Sequence, residues 1–328
     1  MPNPSQWAAA RARQVLQRAI RAQLETLGYR EVETPLLVPA PGMEPHIRAF
    51  EVPFVPETDL GRARTLYLHT SPEYAMKRLL ADGSGPIFQI CKVFRNGEVS
   101  PTHNPEFTML ELYRPQADYR AIMDDLESTL AAAATALERP HPFGRRPYER
   151  VTVREALRRE TGIDLRESSE ASTLAEAARR VGVRSEAGDG FDDVFFRLFL
   201  ERVEPRLGRD RPAFLIDYPA SMAALARLSP QDPSVAERFE LYAQGLELAN
   251  GFSELTDAVE QRRRLEEERA VRKARGRPAY PVDEAFLEAV GRMPASGGVA
   301  IGLDRVLMLL LGAERIEDVL LFPAHAFV

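Results

Sequence analysis

Phe94-Arg95-Asn96-Gly97-Glu98, followed after a short loop by His103-Asn104-Pro105-Glu106-Phe107-Thr108-Met109-Leu110-Glu111-Leu112-Tyr113, is the stretch on which the fold turns. From Ile87 to Arg95 the pattern predicts a strand with Gln89, Cys91, Val93 and Arg95 on one face and Phe88, Ile90, Lys92 and Phe94 on the other. Arg95 then closes the strand at the lip of a loop. A second strand is expected over Phe107 to Arg114, and the same period puts Phe107, Met109, Glu111 and Tyr113 on a common face. A carboxylate among apolar neighbours is costly unless a cation or hydrogen bonds satisfy it, so Glu111 calls for a partner. That partner is either a distant Lys or Arg or a bound ammonium. Arginine, aromatic and acid on two strands joined by one loop suit a nucleotide held beside a cationic small molecule.

Working outward, Ser5 to Leu27 reads as an amphipathic helix with Trp7, Val15, Leu16, Ile20, Leu24 and Leu27 near one stripe, stopped by Gly28. Glu31 to Val38 is expected to be extended, with Pro35 at an edge or interface because it lacks a ladder donor. Strands follow near Phe50 to Val55 and Thr65 to His69, then a helix from Pro72 to Ala81 capped by Ser71. Helices are expected at Tyr119–Leu137, Val153–Glu160, Thr173–Val181 and Asp192–Val203, and a strand at Ala213–Tyr218. In Thr256 to Arg277 glutamates interleave with arginines, which predicts a solvated helix face rather than an RNA-binding surface.

The 328 residues are 45% hydrophobic, enough for a substantial core. With 43 basic against 49 acidic residues, a net charge of -6, the chain lacks the cationic balance common in proteins that grip long nucleic acids. Cys91, the only cysteine, excludes an intrachain disulfide and a cysteine-based metal cluster, and agrees with a reducing cytoplasm. No apolar run approaches membrane-spanning length.

Two further places carry chemistry. If Phe239–Tyr242 and Gly245–Leu248 form a hairpin around Ala243 and Gln244, Glu240 and Glu247 sit opposite each other and repel. Protonation of one, a bridging divalent cation, or a different register would each relieve this. Near the end, Val299–Ile301 reads as a strand, Gly302 as a tight turn, and Leu303–Leu311 as a buried helix with Arg305 in its first turn, a place that favours phosphate unless Arg305 pairs with an Asp.

The arginine-led loop and His103-Asn104-Pro105-Glu106-Phe107-Thr108-Met109-Leu110-Glu111 resemble motif 2 of the class II lysyl-tRNA synthetases, and more closely that of their truncated paralogues, the elongation factor P lysine ligases. Similar in order are Glu31-Val32-Glu33-Thr34-Pro35 as motif 1, Thr70-Ser71-Pro72-Glu73 with Met76-Lys77-Arg78-Leu79, Glu247 to Leu255, and Gly302-Leu303-Asp304-Arg305 as motif 3. The resemblance covers nearly the whole chain. It implies an α+β class II synthetase catalytic core, a mainly antiparallel sheet flanked by helices. The expected organisation is one domain over residues 1–328 with a helical insertion at about residues 115–212, dimerising through the first helix and Pro35.

Position by position, the resemblance implies that Arg95 holds the substrate carboxylate and the α-phosphate, Phe107 stacks on adenine, Asn104 makes a neighbouring nucleotide contact and Arg305 meets the terminal phosphate. Asn96, Gly97, Glu98, His103, Glu247, Leu248 and Gly302 complete the implied ATP site, with Glu240 and Glu247 as Mg2+ ligands. Ser71, Pro72, Glu73, Glu111, Tyr113, Asn250, Glu254 and Ala300 are implied around the amino acid, the acids meeting its ammonium groups. The expected reaction is attack of the carboxylate of lysine or β-lysine on ATP, then transfer from the adenylate to a lysine of elongation factor P. No room is expected for an anticodon-binding barrel, so tRNA is not the expected acceptor. A lysine-activating enzyme with another acceptor, or a non-catalytic regulatory paralogue, are the alternatives; the latter would be expected to lose Arg95, Glu247 or Arg305.

Two positions depart from the synthetase pattern. Gly97 stands where an adenine-reading glutamate is expected, so Glu98 is expected to take over through a local backbone shift. Ala300 replaces a glycine; its methyl narrows the pocket and implies a β-lysine-type substrate.

Overall fold

A computed structural model describes residues 2–186 and 188–326. The chain divides into two compact units, one of residues 1–141 and 253–328 and one of residues 142–252.

The first unit opens with α1 (Pro4–Thr26), capped by Asn3, whose side chain accepts from the Gln6 backbone N–H while Gln6 reaches back. Leu16, Ile20 and Leu24 are buried, each contributing roughly 1.5–3 kcal/mol. Trp7 and Val15, expected on the same stripe, are 51% and 37% exposed instead. There follow β1 (Arg30–Glu31), β2 (Leu37–Val38), β3 (Phe50–Phe54), β4 (Arg64–Leu68), α2 (Glu73–Ala81), β5 (Ile87–Phe94), β6 (Glu106–Pro115) and α3 (Tyr119–Thr135).

The second unit holds β7 (Glu149–Thr152), α4 (Val153–Thr161), α5 (Ala171–Arg180), α6 (Phe191–Leu198), β8 (Ala213–Pro219), β9 (Val235–Ala243) and β10 (Leu246–Ser253). Its strands run in the order β10-β9-β8-β7, with β7 parallel to β8 and the other pairs antiparallel. Val153, Leu157, Leu174, Phe195, Leu198 and Tyr242 belong to its core, so the three helices bury their apolar faces locally.

The chain then completes the first unit with α7 (Ala258–Ala274), α8 (Glu284–Arg292), β11 (Ser296–Gly302) and α9 (Leu303–Leu311). Here the strand order is β1-β5-β6-β11, only β1 with β5 being parallel, and β2-β4-β3 form a small separate sheet. The fold is α+β with mainly antiparallel strands, as expected. On α7 most charges do pair along the helix, as Arg263 does with Glu260 and Glu267, but Arg272 departs from a solvated face. It is wholly buried, donates to the carbonyls of Glu44, Ile47 and Pro278, and lies over the Tyr280 ring. Among the described residues no helix is long and apolar enough to cross a membrane.

Candidate active site

In the first unit, β6 and α2 bring together a group of buried acids. Glu111 is fully buried and takes hydrogen bonds from the Ser71 hydroxyl at 2.5 Å and the Tyr113 hydroxyl at 2.9 Å. No Lys or Arg is its hydrogen-bonded partner among the described residues, so the structural ion pair left open by the sequence is not what holds it. Burial, then the charge of Glu73, push its carboxyl up to about 8, against the two hydroxyl donors. Ser71 also accepts from the Glu73 N–H at the start of α2, one residue before the cap position occupied by Pro72. One turn on, the ammonium of fully buried Lys77 stands 2.5 Å from Glu73 and 2.6 Å from Glu254. Burial opposes that charge, but the two carboxylates outweigh it and hold Lys77 protonated. Glu254 is held above the usual carboxylate range by burial, with Lys77 pulling the other way, and its Oε1 has no hydrogen-bond partner among the described residues.

β11 forms the neighbouring wall. Ala300 pairs with Glu111 and Gly298 with Tyr113, so the Ala300 methyl stands on the face of the acid. A Cβ at Gly298 would lie 2.3 Å from the Tyr113 ring and 2.6 Å from Glu254 Oε1, which explains a residue without a side chain there. Glu73, Glu111 and Glu254 against Lys77 leave a formal surplus of two negative charges in a buried space. Such a surplus suits a ligand bearing two ammonium groups.

At the loop between β5 and β6, the Arg95 guanidinium lies 5.1 Å from the centre of the Phe107 ring and 3.8 Å from Glu98, and its Nε finds no acceptor among the described residues. Gly97 adopts φ +89, a left-handed turn that favours glycine and brings the Glu98 N–H to the Arg95 carbonyl. Asn96 is fixed through its backbone N–H on the Arg48 carbonyl. His103 Nε2 faces a guanidinium N–H of Arg305 at 2.5 Å and Nδ1 faces the Ser100 hydroxyl at 2.7 Å. Arginine only donates, so Nε2 accepts and Nδ1 carries the proton. Burial, Arg305 and Arg95 push this imidazole down to about 4. Asn104 donates to the Glu106 carbonyl and accepts from the Ala324 N–H, which commits its amide to anchoring the loop.

Gly302 caps α9 at φ -77, so its place in the turn needs no left-handed backbone. Arg305 falls in the first turn and donates to the Thr102 carbonyl and to His103. The Asp at this point is Asp304, nearly fully buried, which takes the Thr108 N–H at 2.6 Å and the Arg13 guanidinium. One carboxylate thus ties α1, β6 and α9 together.

In the second unit the hairpin differs from the sequence expectation. The turn is Gln244-Gly245, both at positive φ, and a bulge between Glu247 and Ala249 sets Glu240 opposite Asn250 and Glu247 opposite Tyr242. Glu240 takes hydrogen bonds from Arg238, Tyr218 and Tyr242, so the expected repulsion is relieved by register and donors. Arg238 also meets Asn250; although burial opposes its charge, Glu240 and Glu247 hold it up. Glu240 and half-buried Glu247 outnumber the guanidinium of Arg238, a charge balance that a divalent ion would suit. Among the described residues, no three His, Cys, Asp or Glu converge as a metal site. Leu248 is buried.

Sequence reasoning missed Lys77, Gly298, Asp304 and Arg13. Lys77 sits four residues after Glu73 in a helix, a spacing that signals an ordinary exposed pair, and only the burial of its ammonium shows otherwise. Asp304 stood inside motif 3 and could have been singled out as an acid opening an otherwise apolar helix.

Residues 1–326 match the family model described as tRNA synthetases class II (D, K and N). The chain belongs to the class II tRNA synthetase family. Among curated proteins it is 44% identical, over 306 residues covering 92% of this chain and 91% of the relative, to the elongation factor P--(R)-beta-lysine ligase of Salmonella arizonae. The protein of the same name from Erwinia tasmaniensis is 43% identical over 307 residues, with the same coverage.

Proposed function

We propose that this protein is an ATP-dependent ligase that activates lysine or (R)-β-lysine as an aminoacyl-adenylate and transfers it to a lysine side chain of elongation factor P. The observation that carries this reading is the buried surplus of two negative charges around Glu73, Glu111 and Glu254, within a class II synthetase fold. The substrate carboxylate attacks the α-phosphorus of ATP, pyrophosphate leaves, and the acceptor amine then displaces AMP, forming an amide. No side-chain nucleophile is required. Glu73, Glu111 and Glu254 orient the ammonium groups, and Arg95 holds the carboxylate and α-phosphate with Phe107 beneath the adenine. Arg305, oriented by its hydrogen bond to neutral His103, meets the terminal phosphate. Positioning and fixed charge supply the acceleration. Asn96, Gly97, Glu98 and Gly302 belong to the proposed nucleotide contacts, and Ser71, Pro72, Tyr113, Asn250 and Ala300 to those of the amino acid. Glu247, with Glu240, is the proposed Mg2+ site, where the ion would shield phosphate charge. Exposed Trp7, Leu36 and Leu37 support a dimer, and the lone cysteine supports a cytoplasmic setting.

The test is ATP–pyrophosphate exchange with α-lysine and both β-lysine enantiomers, followed by transfer assays offering elongation factor P and tRNA separately. Exchange with a β-lysine and labelling of elongation factor P are expected; absence of exchange, or charging of tRNA alone, overturns the reading.

A further inference from the structure

Among the described residues, Lys77 is the cation paired with the acids of this pocket. Its ammonium is 0% exposed, bonded to Glu73 one helical turn away and to Glu254, which is brought in from beyond β10. The Phe286 ring of α8 lies 5.9 Å from it and closes the apolar side. Without this ammonium three carboxylates, two of them buried, would face one another, and no ligand with two positive charges could neutralise them. The other titratable groups facing the cluster are Tyr74, Cys91, Tyr113, Glu44 and Glu268, the last pushed up to about 8 by burial and then Glu44. Burial holds both tyrosines and the thiol neutral, and burial, then Glu73, push Glu44 up.

We infer that Lys77 is a specificity-determining positioning residue. It cancels one of the three acids, fixing the pocket at a charge that a diammonium amino acid neutralises and a monoammonium one does not, and it holds Glu73 and Glu254 where they meet the substrate. The inference rests on the proposed reading of this pocket as the amino-acid site.

The test compares the unaltered protein with K77M, K77R and the double variant E73Q–K77M in pyrophosphate exchange, using lysine, β-lysine and norleucine over a pH series. In K77M, Glu254 loses the cation that favours its ionised form. The acid limb of kcat/KM for lysine should therefore move up by about one pH unit, and KM for lysine should rise about tenfold while KM for ATP stays within about twofold. K77R, which keeps the charge, should leave the limb in place. E73Q–K77M removes an acid with its cation and restores the surplus of two, so its limb should return to that of the unaltered protein even where KM does not. Should K77M fail to fold, the double variant carries the test alone. A limb that K77M leaves unmoved, or one that stays displaced in the double variant, overturns the inference, as does an equal rise in both KM values. Absence of exchange in the unaltered protein with every lysine isomer sinks the proposed function instead.

Discussion

Binding of the amino acid should expel a proton from Glu111. Its carboxyl is pushed up to about 8 by burial and Glu73, so at pH 7 roughly nine in ten molecules of the free protein carry it protonated. An ammonium placed against it favours the ionised form, and binding must release close to one proton. The association constant for lysine or β-lysine should then climb about tenfold per pH unit up to pH 8 and level off above it. The same shift has the opposite effect on the free protein. A carboxyl whose folded value lies above its ordinary 4.5 contributes stability that is lost as pH rises towards 8, so the melting temperature of the free protein should fall across that window and substrate should restore it most at the alkaline end. Calorimetric titration in buffers of different ionisation heat reads the proton directly. Glu111→Gln should abolish the release and weaken binding by about 1.5–3 kcal/mol, the range of a hydrogen bond to a charged group. Proton release of zero, with affinity flat from pH 6.5 to 8.5, would refute the argument.

Ala300→Gly removes the methyl beside Glu111 and should shift the ratio of activation rates towards α-lysine; an unchanged ratio refutes the narrowing. Gly298→Ala forces a Cβ to 2.3 Å from Tyr113 and should raise KM for the amino acid while leaving KM for ATP within about twofold, which exchange kinetics separate. Asp304→Ala leaves Arg13 and the Thr108 N–H without their acceptor and should lower stability by about 3–5 kcal/mol, read from urea denaturation. Glu98→Ala should raise KM for ATP, and an indifferent Glu98 ends its assignment to the adenine.

What the sequence disclosed, and what it hid, divides along physical lines. The β5–loop–β6 unit was legible because strand alternation put Arg95, Phe107, Glu111 and Tyr113 on one face, where the Tyr113 hydroxyl donates to Glu111 and the Arg95 guanidinium lies over the Phe107 ring. The β9–β10 register was not, since the bulge beside Leu248 adds a residue to one strand and leaves no mark in the pattern. Arg272 and Lys77 were misread or passed over for a common reason: a charged residue on a charged helix reads as solvated, and only the backbone carbonyls or acids arriving from distant segments make its burial tolerable. Asn104 lay in the right loop, yet its partner Ala324 lies 220 residues away.

The tie made by Asp304 has a temporal meaning. It joins Arg13 to a residue 291 positions later, and Pro101 of the β5–β6 loop likewise accepts from the N–H of Ile316. A chain emerging from the ribosome will have made both motif 2 strands long before the segment that braces them exists. The proposed nucleotide half of the site therefore cannot set until α9 has been made, and a nascent chain arrested before α9 should fail to retain ATP even with Arg95 and Phe107 already in place.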